Sequence, residues 1–246
     1  MKNTRRALPQ KRPLSSPHVN PECIIEEYRD LRPEYYPAFL DLRGKKCVVV
    51  GGGRVAERKV TALVASGADV HVISPQLVVT LNRLRAKGAI RHIARTYRNG
   101  DLRDAFLVIA ATSDEVINST VSRDAPFLVN VADAPGLANF IVPAVVKSGP
   151  LKIAVSTGGA SPAMAASVRR ELELLYGKDV GRYLLFIGKL RKQVLETIVD
   201  AKAREVFFKM AGSIEILGLV RDEGFEKARA IIMERLSQLR GAKCLM

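Results

Sequence analysis

The segment Gly51-Gly52-Gly53-Arg54-Val55-Ala56 fits the pattern G-x-G-x-x-A, and it lies where that pattern has a chemical use. The apolar run Lys46-Cys47-Val48-Val49-Val50 precedes it and a helical stretch follows. Gly51 permits a tight turn, Gly53 lets the backbone approach a pyrophosphate, and Ala56 allows close helix–strand packing. The phosphates of a dinucleotide would then face the free amides of a helix start. The same residues also suit a tight βα turn that binds nothing. An acid normally ends the second strand about 20 residues on, where it holds the adenosine ribose. Here that place is Ser74-Pro75-Gln76. Ser74 and Gln76 can bond a hydroxyl less strongly, and no arginine in this turn marks a 2′-phosphate site, which favours NAD over NADP.

Two further segments carry chemistry. Asn130-Val131-Ala132-Asp133-Ala134-Pro135 falls at the carboxyl end of a strand, where ligands bind in open α/β sheets. Asp133 there can accept a proton beside a nicotinamide, or it can simply cap the turn before Pro135. Ser156-Thr157-Gly158-Gly159-Ala160-Ser161-Pro162 links a strand to a helix, with Ser161 as N-cap and Pro162 at the first helical position. Free amides at such a start can receive carboxylates or phosphates. A flexible connector with a good cap is the plain alternative.

The elements that must position these groups follow from periodicity. Strands are expected at 46–50, 69–73, 90–97, 106–111 and 127–131, with helices at 54–66, 76–86 and 114–123, the last capped by Ser113 or Asp114. Strands alternating with helices imply right-handed crossovers and a parallel sheet, hence a doubly wound, Rossmann-like α/β domain. Past Pro135 the texture changes. Strands are expected at 139–142 and 151–155, then helices at 163–176, 181–203, 204–211 and 225–239.

Composition narrows the class. The 246 residues are 48% apolar, enough for a sizeable core, and no apolar run approaches the roughly 18–20 residues of a membrane span. The net charge of +14 is concentrated partly at Lys2, Arg5, Arg6, Lys11 and Arg12, with no acid before Glu22. A basic surface suits an anionic partner, or simply solubility. Nucleic acid is disfavoured, because no basic patch is interleaved with aromatics and tryptophan is absent. Cys23, Cys47 and Cys244 are odd in number and widely spaced, and His18, His71 and His92 form no ligand spacing with them, so no metal site is expected. This usage fits a reducing, cytoplasmic setting. Pro9, Pro13, Pro17 and Pro21 would interrupt an amphipathic transit helix, and no apolar signal region exists.

Taken in order, these segments go beyond a general nucleotide-binding pattern. Tyr36 to Lys45, Val48 to Gly53, Val55-Ala56-Glu57-Arg58-Lys59, Ala110-Ala111-Thr112-Ser113-Asp114 with Asn118, Asn130 to Pro135, Phe140 to Ala144 and Ser156 to Pro162 resemble the precorrin-2 dehydrogenase and sirohydrochlorin ferrochelatase family. That family includes the N-terminal module of siroheme synthase. The resemblance implies oxidation of precorrin-2 to sirohydrochlorin with NAD as hydride acceptor. In some members it extends to insertion of ferrous iron, as substrate, through the same cleft and carboxylate. By position it implies Asp133 as the catalytic carboxylate and Arg54, Val55 and Thr112, with Gly51 and Gly53, as cofactor contacts. Pro75 and Gln76 would lie beside the adenosine. Thr157, Gly158, Gly159 and Ser161 would form the substrate loop, with Thr157 where some relatives have Ser. The resemblance also implies a homodimer with an exchanged middle segment. Because the sequence stops at Met246, the methyltransferase that makes precorrin-2 from uroporphyrinogen is expected on a separate protein.

The resulting organisation is a disordered basic extension over 1–35, an NAD-binding Rossmann domain over 36–135, dimerisation strands and loop over 136–160, and a helical domain over 161–246. A non-catalytic, nucleotide-sensing Rossmann module is the competing reading. It accounts for Gly51 to Ala56 but leaves Asp133 and the Ser156–Pro162 loop without a purpose.

Overall fold

Five short strands form one parallel sheet in the computed structural model, which describes residues 34–241. The basic extension, Cys23 and Cys244 fall outside those residues, apart from the first residues next to Tyr36. All the elements belong to the unit that starts at Ala38. In chain order the sheet is built from β1 (Lys46–Val50), β2 (Asp69–Ile73), β3 (Arg91–Ile93), β4 (Leu107–Ala110) and β5 (Leu128–Val131). Their order across the sheet is β3-β2-β1-β4-β5, and every pairing is parallel.

Alternation along the strands divides the core in two, because successive side chains point to opposite faces. Cys47, Val49, Val70, Val72, Leu107 and Ile109 pack on one face. There they meet Ala56, Val60 and Leu63 of α1 (Arg54–Ala65) and Leu81 of α2 (Val79–Ala86). Val48, Val50, Ile73, Val108, Ala110, Val129 and Val131 pack on the other, against Val121 of α3 (Glu115–Asp124). A sheet covered on both faces explains why its central strands β1 and β4 read as continuous apolar runs. The expected doubly wound fold is therefore present.

Two boundaries differ from the sequence reading. The helix expected from residue 76 begins at Val79, because the preceding loop is folded onto the glycine turn, with the Val78 amide donating to the Gly52 carbonyl at 2.9 Å. The third strand ends at Ile93 and not at Tyr97. Beyond it, Arg95 forms a bidentate pair with Asp101, at 2.7 Å for both bonds, which bends residues 95–101 into a loop.

Past β5 the strand expected at 139–142 does not form. Asn139 instead borders β5, its side chain accepting from the Val129 amide at 2.8 Å and donating to the Phe127 carbonyl at 2.6 Å. Pro143, which has no amide to give a ladder, follows this segment. The strand lies further on: β6 (Ala144–Ser148) pairs antiparallel with β7 (Leu151–Val155) through the two-residue turn Gly149-Pro150. Gly149 takes φ +57°, a conformation that suits glycine.

The helical part comprises α4 (Pro162–Leu175), α5 (Lys178–Thr197), α6 (Ala201–Ala211), α7 (Ile214–Asp222) and α8 (Phe225–Gly241). The helix expected to run through 203 stops at Thr197, because Asp200 accepts from the Lys202 amide and caps the next one. Helix α7 has no counterpart in the sequence reading, although Ser213 caps it through the Ile216 amide. Val180, Tyr183, Val194, Phe207, Val220, Ile232 and Leu236 form the core between these helices. No described helix is long and apolar enough to cross a membrane.

Candidate active site

The sheet order reverses between β1 and β4, and open α/β sheets leave a crevice at such a point. A cleft of about 370 Å³ opens there, lined by Val50 to Gly53, Ile73 to Pro75, Thr96-Tyr97, Ala111 to Ser113 and Ile117. Its floor is glycine for steric reasons. Gly51 takes φ +124°, and a β-carbon on it would run into the Ala111 carbonyl. A β-carbon on Gly52 would overlap the Gln76 carbonyl oxygen and lie 2.7 Å from the Ser74 hydroxyl. Gly53 is different: its β-carbon would meet nothing within 4 Å. It is the N-cap of α1 and supplies no side-chain cap, so the first amides of that helix, including those of Arg54 and Val55, are open to an anion. A bare helix start beside an open glycine fits a dinucleotide pyrophosphate. Gly52 was not singled out in the sequence, yet it is the most confined of the three.

The turn after β2 answers part of the missing-acid question. Ser74 is buried, and its hydroxyl donates to the Gln76 carbonyl at 2.7 Å, so it is committed to shaping the turn. The Ser74 carbonyl in turn meets His92 Nε2 at 2.8 Å. Pro75 and Gln76 are exposed at this edge, so the Gln76 side chain is the neutral polar group left for a ribose.

Thr112 forms the opposite wall, held by Asn118. The Thr112 hydroxyl donates to Asn118 Oδ1 at 2.9 Å, and Asn118 Nδ2 donates to the Thr112 carbonyl at 3.0 Å. Asn118 is itself buried on α3, whose N-cap is Asp114, accepting from the Ile117 amide at 3.0 Å. Thr96 and Tyr97 complete the cleft and were missed by the sequence reading, which placed them in a strand. The Tyr97 hydroxyl donates to Asp124 Oδ2 at 2.6 Å; burial and then that carboxylate raise the phenol's pKa.

Asp133 stands at the carboxyl end of β5, next to β4, and is not part of the cleft lining. Its φ is +59°, a left-handed conformation that costs a non-glycine residue about 1–2 kcal/mol and that Asp and Asn tolerate best. The turn is closed by backbone bonds, Leu137 to Ala134 and Ala138 to Pro135, and the 3-10 turn Pro135–Leu137 has no side-chain cap. The exposed Asp133 carboxylate makes no hydrogen bond among the described residues, so it does not cap this turn.

The loop before α4 is largely self-contained. The Thr157 hydroxyl donates to the Ser161 carbonyl and accepts from its amide, both at 3.1 Å, and the Ser161 hydroxyl accepts from the Met164 amide at 3.1 Å. Gly158 and Gly159 take φ +59° and +83°, which explains two glycines in succession. Gly51, Gly53, Pro75 and Thr112 thus converge on one cleft, while Thr157 and Ser161 belong to a separate loop. No group of three or more His, Cys, Asp or Glu side chains among the described residues could hold a metal ion.

Fold and cleft together define a Rossmann-type dinucleotide-binding protein. Residues 38–144 match the family model described as "Putative NAD(P)-binding", and residues 148–174 match the one described as "Sirohaem biosynthesis protein central". Siroheme synthase of Methylobacillus flagellatus is 42% identical over 179 residues, 72% of this chain and 38% of its own. That of Pseudomonas paraeruginosa is 37% identical over 207 residues, 83% and 44% of the two chains. A solved structure of the precorrin-2 dehydrogenase SirC superposes with a TM-score of 0.69 at 27% identity, covering 84% of this chain and 100% of that one. The chain belongs to the family of precorrin-2 dehydrogenase and the corresponding module of siroheme synthase. It spans 38–44% of the length of these two siroheme synthases.

Proposed function

We propose that the chain oxidises precorrin-2 to sirohydrochlorin, with NAD as the hydride acceptor. The observation that carries this reading is the similarity to SirC, which extends over the whole of that dehydrogenase. The cleft would hold the dinucleotide on Gly51, Gly53 and the amides of Arg54 and Val55, with Thr112, Pro75 and Gln76 beside it. When bound, NAD supplies the electron chemistry, and the protein supplies position and charge. Dehydrogenation also releases a proton, and Asp133 is the proposed base: an exposed carboxylate, without a hydrogen bond among the described residues, just past the end of β5. Thr157, Gly158, Gly159 and Ser161 are assigned to the substrate side, on the loop that opens α4, whose shape is held by the Gly158 amide donating to the Ser156 hydroxyl and the Ser161 amide donating to the Thr157 hydroxyl.

We further propose that the chain acts as a homodimer in the cytoplasm, with residues 136–160 as the shared segment. Supporting this, β6 and β7 pair with no third strand among the described residues, so their outer edges are open to a strand of a second copy, while α4 and α5 of the same chain pack against them. Its substrate has to come from a methyltransferase acting on uroporphyrinogen. Incubation with precorrin-2 and NAD, followed by NADH absorbance and the tetrapyrrole bands, tests the central reading. NAD binding without any NADH formation would leave a nucleotide-sensing module instead. Sedimentation of the full chain tests the dimer, for which a monomer at micromolar concentration is the adverse result. An anaerobic incubation with sirohydrochlorin and ferrous iron tells a dehydrogenase alone from one that also forms siroheme.

A further inference from the structure

Every described residue that lines the cleft at the glycine turn, from Val50 to Ile117, is uncharged. The loop where an acid would hold the adenosine ribose is fixed against that turn. The Gly51 amide donates to the Ile73 carbonyl and the Val78 amide to the Gly52 carbonyl, both at 2.9 Å. A β-carbon on Gly52 would overlap the Gln76 carbonyl oxygen. Residues 74–76 are therefore held in one place beside the turn that receives a pyrophosphate. Ser74 and Pro75 belong to the cleft lining, and Gln76 follows on its exposed rim.

NAD and NADP differ by a phosphate on the adenosine ribose. A carboxylate at the end of the second strand bonds the free hydroxyl and repels that phosphate. Here the Ser74 hydroxyl is committed to the Gln76 carbonyl at 2.7 Å. The Gln76 side chain makes no hydrogen bond among the described residues. Being neutral, it can donate to a phosphate oxygen as well as bond a hydroxyl. On the first turn of α1, Arg54 adjoins the glycine turn and is exposed, while Glu57 lies three residues further on and outside the cleft lining. The ribose end of the cleft thus carries no negative charge to turn a 2′-phosphate away.

We propose that this chain discriminates only weakly between NAD and NADP, and that the neutral side chain of Gln76 is the reason. The proposal rests on the functional reading above for a dinucleotide at the glycine turn and deepens it by naming the residue that sets coenzyme preference.

Calorimetric titration of the full chain with NAD and with NADP gives both dissociation constants without any turnover. A hydrogen bond between neutral groups is worth roughly a 2- to 10-fold change in affinity. NADP should therefore bind within about 10-fold of NAD. Gln76→Glu should widen the ratio by a further factor of about 10 or more, through weaker NADP binding, because like charges then face each other. Its NAD affinity and Tm should hold, since Gln76 is exposed and shapes the turn through its backbone carbonyl. Gln76→Asp serves as the second acidic variant should the Glu chain not fold. A wild-type ratio above about 10-fold, or one that the acidic variant leaves unmoved, would overturn the proposal. The expected titrations without NADH formation from precorrin-2 would instead overturn the functional reading and leave the coenzyme preference standing.

Discussion

Gly52 and Gln76 stand so close that a β-carbon on the first would overlap the carbonyl oxygen of the second. The Val78 amide also donates to the Gly52 carbonyl at 2.9 Å, so the loop after β2 is fastened onto the glycine turn after β1. Gly53, one residue further, faces open space. The two positions should thus answer alanine differently. Gly52→Ala should cost about 1–3 kcal/mol through overpacking and distort the cofactor turn. Gly53→Ala has an ordinary φ of −86° and no protein neighbour to displace, so its Tm should hold or rise slightly. NAD titration should nevertheless weaken for Gly53→Ala, because the methyl group occupies the path of the pyrophosphate. Denaturant melts and NAD titration of both variants check the contrast.

Asp133 combines a left-handed backbone with a carboxylate that makes no hydrogen bond among the described residues, so backbone and chemical effects can be separated. Asp133→Asn keeps a residue that tolerates φ +59°, and should leave Tm near wild type. Loss of a positioned base lowers turnover by about 10²–10⁴-fold. Both Asp133→Asn and Asp133→Ala should fall in that range in NADH formation, with Ala alone also losing about 1 kcal/mol from backbone strain. Near wild-type turnover by either variant would remove Asp133 from the mechanism.

The loop bearing Thr96 and Tyr97 depends on Asp101. The Arg95 guanidinium bonded to its carboxyl holds it below the usual range against the opposing effect of burial, and the Arg98 amide adds in the same direction. A folded pKa below the unfolded value of about 3.9 means that this stability is complete above that pH. It is lost as pH falls through the lower folded value. Asp101→Asn should therefore cost about 1.5–3 kcal/mol at pH 7 and progressively less towards pH 2. Urea melts at the two pH values measure the difference, and a weaker NAD affinity should accompany it because the cleft wall loosens.

The net charge of +14 offers a steering field for a polycarboxylate. Raising ionic strength from about 0.01 to 0.15 M shortens the screening length from roughly 30 to 8 Å. KM for precorrin-2 should climb over this interval, with kcat nearly constant. A flat KM would mean that the charge serves solubility.

Much of the cleft was legible in the sequence because its determinants are local. Gly51 and Gly53 sit between a continuous apolar strand and a helix, and strand period, helix period and glycine spacing all point to one turn. The second strand's end was read less fully. Ser74 looked available to a ribose, but its hydroxyl is donated to Gln76 within the turn. Thr96 and Tyr97 looked like strand, since the Arg95–Asp101 pair that bends them away joins residues six apart, beyond any two-residue alternation. The hairpin strand was sought at 139–142 because those residues are apolar, while the true strand includes Lys147 and Ser148 on a small, half-exposed sheet.

By itself, then, the sequence determined the doubly wound sheet, the glycine turn and the capped helix at Ser161, all set by short-range pattern and backbone sterics. Only the tertiary structure decided that Gly52 must be glycine, because the obstructing carbonyl belongs to Gln76 on another strand's exit. It also decided between the two roles that spacing left open for Asp133, since the turn before Pro135 closes on its own backbone and takes no cap from that carboxylate.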